Sequence, residues 1–266
     1  MPWSPVSSLV AVVGTVVLVF LSLLAGQAAT HALGRDGVPE DAGDTFDKAA
    51  DIVSYADRRL AAATKGDPLP SPPHVVADLV AARVFYAVAG LSTLGMAVVA
   101  WAASRRSPAE FLRRAGFGHF KTQWIWQTFL LTLVAYAGVF AYSQIADALG
   151  IDVLVPDQQT PRSAIRDDLT FLLFGGLAVL AAPIGEEVLF RGLVFGGLAR
   201  WGFWPAGIVS GFLFALSHVD PGTYIPFTAI GVLFAWLFWR NRSLWPSIAC
   251  HAYFNGASFL LLALTR

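Results

Sequence analysis

The chain has 266 residues, of which 56% are hydrophobic and 14% charged, and its 18 Lys and Arg balance 18 Asp and Glu to a formal net charge of zero. That is too little charge to solvate the surface of an ordinary soluble domain of this size, and with no long basic block the sequence offers no footprint for nucleic acid or for a polybasic lipid anchor. The single cysteine, Cys250, excludes an intramolecular disulfide, and in an apolar run it reads as a small packing side chain rather than a thiol nucleophile.

Several apolar runs reach the roughly 20 residues that cross about 30 Å of hydrocarbon. The first, Val6 to Ala29, has no Lys or Arg ahead of it and no clean small-residue cleavage site, so it reads as a membrane helix kept in the mature chain rather than a signal peptide. Gly34 to His74 is polar and acidic. Asp44 or Thr45 fits a helix cap there, and Phe46, Ala50, Val53 and Leu60 recur at nearly helical spacing, which predicts one amphipathic helix in this extramembrane loop, ended by a Pro68 to Pro73 linker. The second span is read from Val75 to Ala103, with Asp78 and Arg83 near its start facing protein or headgroups. A basic loop holding Arg105, Arg106, Arg113, Arg114 and Lys121 follows, and then a third span, Trp124 to Ala146, whose tryptophans suit an interfacial belt.

Beyond a polar stretch containing Pro156, Pro161 and Arg166, the fourth apolar segment, Asp168 to Arg200, carries Pro183, which is expected to kink or break it. The last spans are read as Trp204 to His218, Tyr224 to Trp239 and Trp245 to Leu264, with Pro205 and Pro246 in first turns, where a missing N–H leaves nothing unpaired. The fold predicted is all-α: a polytopic transmembrane helical bundle of about seven spans, forming one integral membrane domain over residues 1–266 with an acidic extramembrane loop at 34–74. Basic loops tend to stay inside, which puts Arg105 to Lys121, Arg200 and the Arg240, Arg242 pair in the cytoplasm together with the N-terminus, and the 34–74 loop outside.

The sharpest feature is Glu186, Glu187 and Arg191 within the run Pro183 to Gly192, with apolar sequence on both sides. Insertion of each such residue near a helix centre costs about 2.5–3.5 kcal/mol, so the three must be paired, neutralised or turned toward a watery cavity. Glu187 and Arg191 stand at i, i+4 and can meet as a clamp. Glu186 lies about 100° around the helix from Glu187 and has no partner at that spacing, since position 190 is Phe and position 182 is Ala. It suits a general acid or base.

His218 stands four residues after Phe214, and His251 four before Asn255, so His251 and Asn255 share a helix face and can bind one carbonyl oxygen or one water together. Singly, each reads as interhelical hydrogen-bonding glue. Together with Glu186, in spans otherwise free of interior charge, they point to hydrolysis, with the carboxylate taking a proton from water and His or Asn steadying the oxyanion. No cofactor is required by this reading. Zinc held by Glu186, His218 and His251 is the alternative, a three-ligand set with an open position for water. These ligands come one per helix and the chain has no HExxH, which favours metal-independent water activation.

These residues resemble the three motifs of the CPBP family, the CAAX-processing and bacteriocin-processing membrane proteases also called ABI or type II CAAX proteases. Glu186-Glu187-Val-Leu-Phe-Arg191 looks like its EExxxR motif, Phe214-Ala-Leu-Ser-His218 like FxxxH and His251-Ala-Tyr-Phe-Asn255 like HxxxN, in the family's order and with no motif residue missing. The resemblance implies a protease-like core over 168–262 in an intramembrane endopeptidase. In it Glu186 would activate water with His218, His251 and Asn255 would form the oxyanion site, and Glu187 with Arg191 would hold the arrangement. It also implies a membrane-associated peptide or protein substrate in the lipid bilayer and, from the short loops, a place in a bacterial cell membrane. Two rivals use the same residues: a non-catalytic scaffold or immunity-type protein with the 34–74 loop as its binding surface, and an ion- or proton-coupled transporter, for which inverted repeats would speak and none are seen. One mismatch remains in depth. Glu186 and His218 lie about 21 Å from the inner ends of their helices and His251 about half as deep, so a break at Pro183, a longer inner end on the last helix or tilt is needed to bring them level.

Overall fold

A computed structural model describes residues 3–33, 45–71, 79–157, 165 and 167–264, without the side chains of residues 45–50, 52 and 53. The cap at Asp44 or the Thr45 side chain, the periodic Phe46, Ala50 and Val53, the linker's end at Pro73, the span start at Val75 with Asp78, and Pro161 and Arg166 lie outside the described residues.

Helix α1, Pro5–Ala32, starts as its sequence directs: Pro5 occupies the first turn and the Ser4 hydroxyl accepts from Ser7 N–H at 3.1 Å. It is followed by α2 (Thr45–Lys65), α3 (Leu79–Ser104), the short α4 (Pro108–Arg114) and α5 (Gln123–Ala148). After a 3₁₀ turn at Asp152–Leu154 comes a continuous helix, Asp168–Trp201, of 34 residues. Its α-helical parts, α6 (Asp168–Gly175), α7 (Ala182–Glu187) and α8 (Gly196–Leu198), alternate with π-helical stretches at Gly176–Ala181 and Val188–Phe195 and end in a 3₁₀ turn at Ala199–Trp201. Then come α9 (Phe203–Leu216), α10 (Pro221–Asn241) and α11 (Trp245–Leu264). Among the described residues there is no strand. Among the described residues six helices are long and apolar enough to cross a membrane, and α9 is a shorter apolar helix. The chain is a multi-pass, all-helical membrane protein.

Pro183 does not break its helix. It falls in the first turn of α7, where the π stretch ends, and the backbone stays helical through Ala181 (φ −68°, ψ −46°) and Ala182 (φ −62°, ψ −52°). A change of hydrogen-bond register at that point absorbs the missing N–H that would interrupt a uniform α-helix.

Helix α9 lies along α10, α1 along α3, and α5 along α11, while the Asp168–Trp201 helix touches α1, α3, α9, α10 and α11. Residues 187–197 of that helix are buried without exception. Lipid is as apolar as the core, so contact and close approach hold these helices rather than escape from water. Glycines permit it: a Cβ on Gly185 would strike the Thr93 carbonyl of α3, and one on Gly231 of α10 would strike Gly211 of α9.

Two details depart from the sequence reading. On α2 the docked face is made by Tyr55, Ala56 and Arg59, while Leu60 is 43% exposed. Trp124 is buried, leaving Trp126, at 71% exposed, as the residue suited to an interfacial belt. At one end of the bundle the Ser243 hydroxyl donates to the carbonyls of Gly116 (2.9 Å) and His119 (2.8 Å), which puts the basic 105–121 segment beside Arg240 and Arg242. At the other end α2 meets the 152–157 segment and the start of α10.

Candidate active site

Glu186 and Glu187 close α7, and Arg191 lies one turn on in the π stretch. Arg191 Nη1 donates to Glu187 Oε1 at 2.8 Å with both side chains fully buried, which is the pair the i, i+4 spacing predicts. The same oxygen meets His251 Nδ1 at 3.0 Å. An ionised carboxylate only accepts, so His251 carries its proton on Nδ1 and keeps Nε2 for other partners. Aromatic rings take the place of water around this cluster. The Arg191 guanidinium lies 4.5 Å from the Phe214 ring and 5.0 Å from that of Phe234. The imidazole of His251 stacks on Phe234 at 5.1 Å.

His218 falls in the turn after α9, not inside the helix as the sequence reading had it. Its Nδ1 is 2.9 Å from the Phe214 carbonyl, which can only accept, so Nε2 is again the nitrogen left for other work. Phe214 touches both imidazoles edge-on, His218 at 4.9 Å and His251 at 5.6 Å, and Phe227 closes the other side of His218 at 4.7 Å. His218 and His251 thus come level against Phe214, and α11 starts inside the bundle: Ser243 and Leu244 are fully buried beneath the 116–119 loop, and the Trp245 indole donates to the Phe117 carbonyl at 3.0 Å.

Asn255 stands one turn beyond His251 on α11 and donates from Nδ2 to the Ala178 carbonyl at 2.8 Å, in the first π stretch. The second π stretch is tied in the same manner, by the Ser210 hydroxyl to Phe190 O at 2.8 Å and the Ser8 hydroxyl to Leu193 O at 2.9 Å. Glu186 is bound to none of these. Its Oε2 is buried and has no hydrogen-bond partner, and among the described residues no hydrogen bond joins Glu186 to His218 or His251. Glu187 Oε2 and Arg191 Nε and Nη2 are likewise buried without partners. Buried polar atoms are almost always paired, so this concentration of unpaired ones marks where polar atoms from outside the chain would be welcome.

Among the described residues no group of three or more His, Cys, Asp or Glu is arranged to hold a metal ion, so Glu186, His218 and His251 do not form the zinc set considered from sequence. What spacing could not reveal is His251 as the second partner of Glu187, the aromatic walls of Phe214, Phe227 and Phe234, and the anchor of Asn255. Phe214 was visible only as a motif position, and the other contacts depend on which helices cross.

Residues 168–257, which hold Glu186, Glu187, Arg191, Phe214, His218, His251 and Asn255, match the family model described as Type II CAAX prenyl endopeptidase Rce1-like. The Bacillus subtilis (strain 168) protein described as "Putative membrane peptidase YdiL" is 35% identical over 77 residues, 29% of this chain and 32% of that protein. The chain thus spans about a third of that curated relative's length. No solved structure matches.

Proposed function

We propose, from the match of residues 168–257 to the Rce1-like family model, that the chain is an intramembrane endopeptidase that hydrolyses a peptide bond in a membrane-associated peptide or protein, with a core extending over 168–262. Glu186 takes a proton from a water molecule as that water attacks the scissile carbonyl, and His218 shares the proton transfer through Nε2. His251 and Asn255 steady the oxyanion, the first as an imidazolium that donates from Nε2–H while Glu187 holds its Nδ1–H and supplies the counter-charge, and the second from the N–H not bound to Ala178. Glu187 and Arg191 position His251. The observation that carries this reading is Glu186 Oε2, a buried carboxylate oxygen without a partner, on the residue before Glu187, whose Oε1 is already held by both Arg191 and His251.

The test is cleavage of a single-span reporter by purified protein in lipid vesicles, followed by mass spectrometry. Glu186→Gln is expected to lose about 10²–10⁴-fold in rate while eluting as folded protein, as expected on removal of a general base. His218→Ala is expected to match it, Asn255→Ala to lose less, and a chelator to leave wild-type turnover intact. Full activity in Glu186→Gln ends the mechanism.

A further inference from the structure

The matched region ends at residue 168 on its N-terminal side, yet a buried side chain that reaches four acceptors at the α2 end of the bundle lies far upstream. Arg59 of α2 is 3% exposed. Its Nη1 pairs with the carboxylate of Asp220 and with that of Asp157, the latter at 2.7 Å. Its Nη2 donates to the carbonyls of Val155 (2.8 Å) and Asp152 (3.1 Å). The Tyr55 hydroxyl, one turn earlier, donates to Asp157. Burial and that bond push the Tyr55 hydroxyl up from its ordinary range, which keeps it a donor.

Asp220, 2% exposed, is itself the hub of a turn. It accepts from Asp157 N–H at 2.9 Å, caps α10 by accepting from Gly222 N–H at 3.0 Å, and its carbonyl accepts from the Thr223 hydroxyl at 2.7 Å. Between Asp220 and His218 stands Val219 with φ +55°. A β-branched residue does not adopt the left-handed region unless its surroundings impose it. Here the surroundings do so from both sides: Phe214 O holds the His218 ring on one, and the Arg59 network holds Asp220 on the other.

We propose that Arg59 is a positioning residue for His218: from α2 it clamps Asp220 and, through the left-handed Val219, fixes the turn from which His218 faces the site. This rests on the protease reading for its catalytic consequence, but the mechanical coupling of α2 to His218 does not. The extramembrane loop is therefore a working part of the site rather than a detachable tether, and whatever displaces α2 turns the enzyme down without touching Glu186 or His251.

The experiment compares wild type, Arg59→Met, Arg59→Lys and Arg83→Met, each as full-length protein in vesicles, with kcat expressed per folded molecule. Arg83 pairs with Asp167 at 3.0 Å and serves as a control for loss of an ion pair away from His218. Arg59→Met is expected to lower kcat by about 10–100-fold with KM little changed, the size of effect that misplacing a reacting group by about an ångström produces. Lys, which cannot fork to four acceptors, is expected to fall between, and Arg83→Met to change the melting temperature but not kcat. A second readout uses no substrate: diethyl pyrocarbonate modification of His218, resolved from His251 by peptide mapping, is expected to speed up in Arg59→Met. If Arg59→Met does not fold, Arg59→Lys carries both readouts. Wild-type kcat together with wild-type modification of His218 in the Arg59 variant overturns the proposal. If wild type leaves the reporter uncut, the protease reading fails, and the modification rates alone decide whether α2 sets His218.

Discussion

Glu187 Oε1 accepts from both Arg191 and His251, and none of the three side chains is more than 4% exposed. Taking such charges out of water costs several kcal/mol each, and only their mutual attraction and bonds offset it. Arg191→Leu therefore leaves a carboxylate with a single imidazole donor and is expected to destabilise by about 3–5 kcal/mol, whereas adding Glu187→Leu removes the orphan and is expected to recover a large share. Thermal unfolding of the two single variants and the double in detergent measures this, and a strictly additive cycle would show that the pair is not coupled. At this scale the sequence was informative up to one helical turn. Glu187 and Arg191 could be paired from their spacing, and Glu186 recognised as the acid left over. The His251 bond to Glu187 spans 64 positions, and the Arg59 bond to Asp220 spans 161. Neither has a local signature, and both exist only because particular helices cross.

The elements themselves were legible wherever apolar runs and proline or glycine punctuation agree: α1, α5, α10 and α11 lie within a few residues of where the pattern puts them. Two things escaped. The π stretches flanking α7 have no composition of their own, and they explain why Pro183 is harmless and why the Ala178, Phe190 and Leu193 carbonyls meet side chains of other helices. The other is the crossing of α9 and α10, set by Gly211 and Gly231. A methyl group on Gly231 would meet Gly211 and also crowd Arg191 Nη2 at 3.1 Å. Gly231→Ala is thus expected to cost at least about 1–3 kcal/mol by overpacking and to loosen the Arg191 pocket. In contrast, a Cβ on Gly138 of α5 has nothing within 4 Å. Gly138→Ala is expected to be neutral or to stabilise by up to about 1 kcal/mol, since alanine is the better helix former. Melting curves that rank the two variants the other way round would mean that the α9–α10 crossing is not set by its glycines.

For the whole molecule, the question is which end faces which compartment. The basic segment Arg105 to Lys121 is joined through Ser243 and Trp245 to the Arg240, Arg242 turn, so cationic residues from distant parts of the chain gather at one end of the bundle. The opposite end is where α2 meets Asp157 and Asp220, whose two carboxylates share the Arg59 guanidinium. Basic segments beside membrane helices tend to be retained on the cytoplasmic side, so the expected orientation has the first end and the N-terminus inside and α2 outside. The one native thiol, Cys250, is fully buried and silent to an impermeant maleimide, so single introduced cysteines report orientation cleanly. Asp67→Cys, in the exposed segment after α2, is expected to label on intact cells, and Arg106→Cys only after the membrane is opened. The reverse pattern would invert the molecule without altering a contact within it. It would also move the Arg59 clamp to the cytoplasmic face, so that whatever displaces α2 would have to act from inside the cell.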